Sequence, residues 1–480
     1  MAVRSVAIIG AGTTGISVFA QLVRGSESDV SSITLIDPNE PGAGPVFGDP
    51  DPDLLCNTSA GICSLLPQVP SDFTDHCAER GRPVADADYT PRAWVGEYAR
   101  ERFGRYFEVA GARGVKVDHE RDLVRSIATT GRRYRLHLES GRLRSFSHVI
   151  VCVGVGEAIV PDGFAAYTSH PRWVPSPYPS ARLRRRIGDT PSRVLVVGSG
   201  LSAVDAALLL CRDGHRVTMA SRTGILPAVR SRILPSPRAL PSLDGISGMD
   251  PDDPDLYRRL GRAVTEAVRT VGGPLPLRRQ LSRGADPVRR LREEIALAEA
   301  DLCHWQDIVL PLVDAVSAWT AGWHPSRRAS VFAPVSSLMW RYLTSLALPN
   351  ARKLSGHLDD GELELDVYDP ARVRAHAKGF EVVSRDGRVR TYDHAVSGAG
   401  FELPVLHHDG AAVHLRNPPD KAVPVTALGG DLRPRPGIGE GNIWVVGPAT
   451  HIHQPFANFL GSATRQAEIV ARCVRGEAVP

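Results

Sequence analysis

A glycine-rich turn near the amino terminus constrains the fold of this chain more than any other feature. An apolar run at residues 6–9 is typical of a buried parallel strand, and glycines at 10, 12 and 15 follow it before a helical repeat. A second strand pattern then ends at Asp37, about twenty residues after the turn. Strand, glycines, helix, strand and acid in this order predict a Rossmann-like domain that binds a dinucleotide.

Each residue of this turn has an expected role. Gly10 permits the tight turn, Gly12 lets the backbone approach a pyrophosphate, and Gly15 lets helix and strand pack closely. The first helical residues offer unpaired N–H groups to the phosphates, and the Asp37 carboxylate accepts from ribose hydroxyls. The predicted contacts of the first dinucleotide are Gly10, Gly12, Thr13, Thr14, Gly15 and Asp37.

The same pattern recurs in the middle of the chain. A buried strand at residues 192–197 leads into Gly198-x-Gly200-x-x-Ala203 and a helix, and the next strand ends at Ser221 and Arg222. A hydroxyl and a guanidinium at this place suit a ribose 2′-phosphate, which an acid would repel, so they favour NADP over NAD. The alternative is that Arg222 is a solvated surface arginine. The predicted contacts of the second dinucleotide are Gly198, Gly200, Leu201, Ser202, Ser221 and Arg222.

Composition describes an ordinary globular protein and excludes several classes of partner. Of 480 residues, 42% are hydrophobic and 23% charged, and the net charge of +4 is too small to indicate nucleic acid or a membrane surface. No apolar run is long enough for a membrane span, and the first strand begins too early for a signal peptide. The seven scattered cysteines form no C-x-x-C, which fits a reducing cytoplasm and counts against a dithiol-disulfide reductase.

The fold class predicted from these patterns is α/β, with two Rossmann-like domains. We expect residues 1–180 to form the first part of one domain and residues 391–480 to complete it, the strand pattern at 394–400 re-entering that domain. Residues 190–390 form the second domain, with a mostly helical insertion at about 225–350, where the strand rhythm stops. Helices of this insertion could cover a substrate cavity or simply form core.

The motifs resemble those of flavoproteins with two dinucleotide-binding domains, a group that includes class B flavin monooxygenases. The loop at residues 42–48 with Asn57, and the second turn with residues 221–227, are similar to the bacterial FAD/NAD(P)-binding protein family. The ending from Thr450 to residue 469 resembles the close of amine N-hydroxylases that act on ornithine or lysine, with Gly461 in place of their serine.

The resemblance implies FAD in the first domain and NADPH in the second. It implies that NADPH transfers a hydride to the flavin and that a flavin hydroperoxide then oxygenates a small-molecule nucleophile. The favoured nucleophile is an amine nitrogen. Asn57, His451 and Asn458 would be the catalytic or positioning groups. The resemblance adds these candidate flavin contacts: Pro45, Phe47, Asn57, Val124, Gly154, Gly447, Phe459 and Leu460.

Several alternatives stay open at this point. Asn57 could cap a packed loop, and His451 could be structural instead of shuttling a proton. His451 and His453 have no further ligand cluster nearby in sequence, so we expect no metal. The competing functions are a flavin oxidase or dehydrogenase acting on an amine or biosynthetic intermediate, a reductase serving a partner protein, and a non-catalytic flavin-bound scaffold. Related flavoproteins form dimers or tetramers, so a homo-oligomer is open too.

Overall fold

Three large sheets organise the chain in the computed structural model, which describes residues 4–25, 29–42, 44–273, 286–435 and 441–477. The described strands are β1 Arg4–Ile9, β2 Val30–Ile36, β3 Lys116–Glu120, β4 Val124–Thr130, β5 Arg133–Leu138, β6 Leu143–Phe146, β7 His148–Val151, β8 Trp173–Val174, β9 Arg193–Val197, β10 Arg216–Ser221, β11 Val229–Arg230, β12 Leu346–Ala347, β13 Leu363–His376, β14 Gly379–Ser384, β15 Val389–Tyr392, β16 His394–Ser397, β17 His407–His408, β18 Ala412–His414, β19 Val423–Pro424, β20 Ala427–Leu428, β21 Pro434–Arg435 and β22 Ile443–Val445. The described α-helices are α1 Thr13–Arg24, α2 Asp72–Glu79, α3 Arg92–Ala112, α4 Ser180–Ile187, α5 Leu201–Arg212, α6 Pro241–Asp244, α7 Leu256–Gly272, α8 Pro287–Glu299, α9 Val309–Thr320, α10 Pro325–Phe332, α11 Ser336–Leu343, α12 Leu348–Asp359 and α13 Leu460–Arg475.

The first domain is built on a parallel sheet of order β22-β7-β1-β2-β3. Successive side chains of a strand point to opposite faces, and β1 shows the consequence. Val6 and Ile8 pack under α1, α3 and α13, whereas Ala7 and Ile9 pack against an antiparallel sheet of order β19-β17-β18-β4-β5-β6. The apolar run that looked continuous in sequence is therefore a strand buried on both faces.

The second domain repeats this construction on a mixed sheet of order β15-β14-β13-β10-β9-β16-β8. Along β9, Val194 and Val196 face one core while Leu195 and Val197 face the other. The first of these cores contains α5 and the helices of the insertion together. The predicted fold class, two dinucleotide-binding domains with a helical insertion, is confirmed.

Two strands lie in a different sheet from the one expected. His394–Ser397 pairs with Arg193–Val197 in the second sheet, so the expectation that it re-enters the first domain is wrong. Trp173–Val174, from the stretch assigned to the first domain, pairs with the other side of His394–Ser397. A short apolar run ending in glycine fits either parallel sheet, and only the pairing decides between them. The boundaries at 180, 190 and 390 otherwise stay predictions.

Acidic residues of the first domain hold the second domain in place. The Asp49 carboxylate accepts from the backbone N–H and the hydroxyl of Ser180 at 2.5 and 2.6 Å. Asp51 accepts from Arg212 at 3.0 Å and also pairs with Arg184. We call these contacts, with the Arg92–Asp205 pair described below, the interdomain clasp. Because they are buried or half-buried, they fix how the two nucleotide turns face each other.

No helix of the described residues is both long enough and apolar enough to cross a membrane. This finding agrees with the lack of a long apolar run in the sequence.

Candidate dinucleotide-binding site

Close packing explains two glycines of the first turn. Gly10 has a φ of +101°, and a Cβ there would lie 2.5 Å from the carbonyl oxygen of Cys152. A Cβ on Gly15 would overlap the carbonyl oxygen of Gly10. Both positions therefore require glycine for the turn to form at all.

Gly12 differs from these two glycines because it has free space beside it. Among the described residues, the only heavy atom within 4 Å of a Cβ built there is the Gly44 Cα, at 4.0 Å. Gly12 is also the N-cap of α1 and has no side-chain cap, so the first N–H groups of the helix are left for another acceptor. This cradle fits a pyrophosphate, as the sequence predicts.

The ribose end of the first site is held by Asp37. Its carboxylate accepts from the Ala11 N–H at 2.8 Å and from the Asn39 N–H at 2.8 Å. These bonds fix the carboxylate at the carboxyl edge of β2, beside the turn. Its remaining lone pairs can accept from ribose hydroxyls.

The carboxyl-terminal segment meets the first turn of α1. Gly447 has a φ of +81°, and a Cβ there would lie 3.2 Å from the Thr14 Cγ2. The Gln466 side chain holds the Gly447 N–H at 2.7 Å. Phe459 occupies the N-cap position of α13, and Leu460 is the first residue of that helix. Thr14 and Gly447, more than four hundred residues apart in sequence, are therefore brought together at the first turn.

The remaining candidates lie in varied surroundings. Val124 is buried in the core shared with the antiparallel sheet. Pro45, Gly154 and Asn458 are exposed, Phe47 is half-buried, and Thr13 is half-buried at the start of α1. Their contacts with a cofactor stay predictions.

The second turn repeats the backbone of the first. Gly198 has a φ of +138°, and a Cβ there would lie 2.6 Å from the carbonyl oxygen of Gly398. Gly200 caps α5 without a side-chain bond, so Leu201 and Ser202 open a helix like that at Thr13 and Thr14. Above Gly200, however, lies the indole of Trp340.

Ser221 ends β10 and Arg222 follows it, at the edge expected for the ribose. The Ser221 hydroxyl accepts from the Gly224 N–H at 2.9 Å. The Arg222 side chain is 71% exposed and pairs with Asp162 at 3.0 Å. Arg222 can thus reach a 2′-phosphate only in competition with this surface ion pair.

Asn57 lies at the contact between the first domain and the insertion. Its backbone oxygen accepts a hydrogen bond from Arg230, whose side chain is wholly buried. The Nε and Nη1 atoms of Arg230 are buried without a hydrogen-bond partner, and burial lowers the pKa of this guanidinium. The Tyr89 hydroxyl lies 3.5 Å from the backbone oxygen of Arg230. A buried positive charge therefore contacts the loop that contains Asn57.

The insertion also holds the segment that contains His451. Arg328 donates to the backbone oxygens of His451 and Ile452, at 2.8 Å each. The His451 Nε2 lies 3.1 Å from the Pro404 oxygen. Burial, together with the Arg328 charge, lowers the pKa of His451 and keeps the ring neutral. A neutral ring with its Nε2–H bound to a carbonyl is positioned by the fold.

Sequence reasoning missed the arginines at this contact. Arg230, Arg328 and Arg92 are buried, and Arg92 pairs with Asp205 at 2.6 Å. Nothing in the sequence separates them from the many surface arginines, because each looks like one more arginine in an arginine-rich chain. Asp205 carried a weak signal, since it is an acid in the otherwise apolar first turns of α5.

The only group of described residues with metal-ligand spacing is His76, Glu79 and Glu101. Neither His451 nor His453 belongs to it. Glu101 already pairs with Arg80 and with Arg102, the latter at 3.2 Å. These guanidinium groups occupy the carboxylate that a cation would need.

Comparison with known proteins bears on the first turn directly. The sequence of residues 7–156 matches the family model described as FAD-NAD(P)-binding. The matched stretch contains the first turn and Asp37. A search among curated proteins gives no match.

Solved structures share the fold over the whole chain. Ornithine hydroxylase from Pseudomonas aeruginosa is 16% identical, with a TM-score of 0.53 and 99% of each chain covered. L-lysine 6-monooxygenase from Pseudomonas syringae is 15% identical, with a TM-score of 0.52, covering 98% of this chain and 99% of that one. A mutant flavin monooxygenase from Stenotrophomonas maltophilia is 17% identical, with a TM-score of 0.51 and 99% of each chain covered. At these identities the likeness shows a shared fold.

Proposed function

We propose that this chain is an FAD-dependent, NADPH-using monooxygenase that oxygenates a small-molecule nucleophile, most favourably the nitrogen of an amine or amino-acid-like substrate. The observation that carries the proposal is the pair of turns with one backbone construction in a single chain, at Gly10–Gly15 and Gly198–Ala203. The first belongs to an FAD-NAD(P)-binding domain. The full-length fold likeness to an ornithine hydroxylase and a lysine monooxygenase supports it.

The first domain has the residues to hold FAD. The α1 N-terminus receives the pyrophosphate beside Gly12, and Asp37 accepts from the ribose. The neighbouring segments that carry Asn57 and His451 face the isoalloxazine in this proposal. A bound flavin would accept two electrons from NADPH and, once reduced, react with molecular oxygen. The chain supplies orientation and a dry cover, for which the buried contacts of Arg230 and Arg328 are suited.

The buried arginine favours a substrate that carries a carboxylate. The described residues offer no acidic partner to Arg230. Its guanidinium donates a hydrogen bond to the backbone oxygen of Asn57, so the charge lies next to that residue. An uncompensated charge of this kind attracts an anion over several ångströms, because the interior screens it weakly. An amino acid brings a carboxylate as well as the nucleophilic nitrogen.

Rapid mixing tests the proposal. NADPH should bleach the flavin of the anaerobic protein within seconds, and oxygen should then produce a transient near-ultraviolet absorbance that a substrate amine discharges. Hydroxylated product in amounts equal to NADPH consumed would complete the assignment. Bleaching by an amine without NADPH would replace the monooxygenase with an oxidase or dehydrogenase.

The oxidase or dehydrogenase is the second candidate, because one observation favours it. The Trp340 indole covers Gly200 of the second turn, where a nicotinamide dinucleotide would bind. If neither NADPH nor any amine bleaches the flavin, a flavin-bound scaffold accounts for the chain better than either enzyme.

A further inference from the structure

The second turn is covered by a side chain from the helical insertion. A Cβ built on Gly200 would lie 3.1 Å from the Trp340 Cζ2 and 3.9 Å from its Cη2. Trp340 belongs to α11, and 40% of its surface is exposed. The edge of the indole thus occupies the space beside Gly200 where a side chain would begin, and the residue is still partly exposed to solvent.

The place that the indole takes is the one a pyrophosphate needs. In a turn of this type the second glycine lacks a side chain so that the phosphates can approach the backbone and the first N–H groups of the helix. A ring that fills the space beside Gly200 and the phosphates of a dinucleotide exclude each other. In the first turn, the nearest heavy atom that the described residues place beside a Cβ built on Gly12 is the Gly44 Cα, at 4.0 Å.

The helix that carries Trp340 is itself well anchored. The neighbouring Arg341 is buried, donates to the Leu226 oxygen at 2.7 Å and pairs with Glu294. Glu294 also accepts from Arg290 at 2.8 Å. Moving α11 would break this buried network, whereas rotating an exposed indole about its side-chain bonds would not.

We propose that Trp340 gates the second nucleotide turn: its indole occupies the pyrophosphate position in the free protein, and a nicotinamide dinucleotide binds by displacing it. This inference rests on the proposed function, because it takes the second turn as a nicotinamide site. The side chain rotates into solvent and the helix stays in place. The covered state competes with the ligand, so the apparent dissociation constant is the intrinsic one divided by the fraction of uncovered protein.

Binding of NADP⁺ to the FAD-loaded protein tests the gate, since the oxidised nucleotide binds without turnover. Trp340→Ala should bind NADP⁺ about five- to twentyfold more tightly than the wild type by titration calorimetry, as expected if the covered state holds 80 to 95% of the protein. Tyr257→Ala is the matched control: Tyr257 lies in the same insertion and is 41% exposed. It should bind NADP⁺ as the wild type does.

Tryptophan fluorescence supplies a second readout. NADP⁺ should change the emission of the wild type, and Trp340→Phe should lose most of that change while it stays folded. Equal affinity of wild type and Trp340→Ala would overturn the gate and leave the monooxygenase intact. Weaker binding by Trp340→Ala would also overturn it, because the indole would then be a contact of the nucleotide. If neither protein binds NADP⁺ at millimolar concentration, both the gate and the NADPH requirement of the proposed function fail.

Discussion

The two nucleotide turns share a backbone but differ in what lies over them. Both begin with a glycine in a positive-φ conformation that approaches a carbonyl just after the neighbouring parallel strand, and both end at a helix without a side-chain cap. The first turn faces a glycine of the following loop. The second faces a tryptophan from an insertion that the first domain lacks. The same local motif can therefore be open or covered, and the cover comes from residues distant in sequence.

They also differ in how their helices are anchored. The Ser17 hydroxyl of α1 donates to the Leu65 oxygen at 2.7 Å, within the first domain. In α5 the corresponding anchor is Asp205, which pairs with Arg92 of the first domain and accepts from Tyr178. The first turn is thus supported by its own domain, and the second by its neighbour.

The largest effect that tests this comparison is expected from a side chain at the second glycine of each turn. Gly12→Val should give colourless protein, since the valine takes the pyrophosphate's place while its Cβ clashes with no described residue. Gly200→Val should stay yellow and lose reduction by NADPH. Flavin absorbance and an anaerobic NADPH titration measure both. A yellow Gly12→Val protein would show that FAD does not bind at this turn.

A smaller but measurable effect is expected at the anchor of the second turn. Asp205→Asn leaves the buried Arg92 without its ion-pair partner, with the hydrogen bond to the Leu55 oxygen remaining, and should lower the free energy of unfolding by about 3 kcal/mol. The control Asp314→Asn removes an exposed pair with Arg465 and should cost less than about 0.5 kcal/mol. Denaturant midpoints give both values. Equal shifts would mean that the interdomain contact contributes no more than a surface ion pair.

Arg222→Ala sharpens the comparison between the acid of the first turn and the guanidinium of the second. The KM for NADPH should rise about three- to tenfold, as for loss of one charge-assisted contact to a 2′-phosphate, and that for NADH should be unchanged. Arg216→Ala, at the opposite end of the same strand, is the control. Parallel changes for both nucleotides would argue against contact with the 2′-phosphate and in favour of the exposed pair with Asp162.

The smallest effect concerns His451, the neutral histidine of the carboxyl-terminal segment. Because burial lowers the pKa of His451, the folded protein binds fewer protons there than the unfolded chain. This contribution to stability is complete above about pH 6.5 and is lost as the pH falls below that value. Between pH 7.5 and 5.5 the wild type should lose about 1 °C more in Tm than His451→Asn. An identical loss in both would show that His451 is protonated with its ordinary pKa.

Much of the fold was predictable because it follows from local patterns. The strands at Arg4–Ile9 and Arg193–Val197, and the helices that follow them, lie where the sequence pattern predicts them. The assignment of the strand at residues 394–397 failed because an apolar strand carries no information about its partner. The motif residues of both turns were predictable for the same local reason, since glycine spacing reports backbone conformation directly.

The sequence by itself determined the two turns, the acid at Asp37 and the class of dinucleotide fold, because these depend on backbone geometry within some thirty residues of chain. Only the tertiary structure decided that Arg230 is buried behind Asn57, that Arg328 holds His451, and that Trp340 covers Gly200. Burial, pairing and covering depend on which distant segments meet, and a single side chain looks the same in the sequence whether it faces water, a core or a nucleotide.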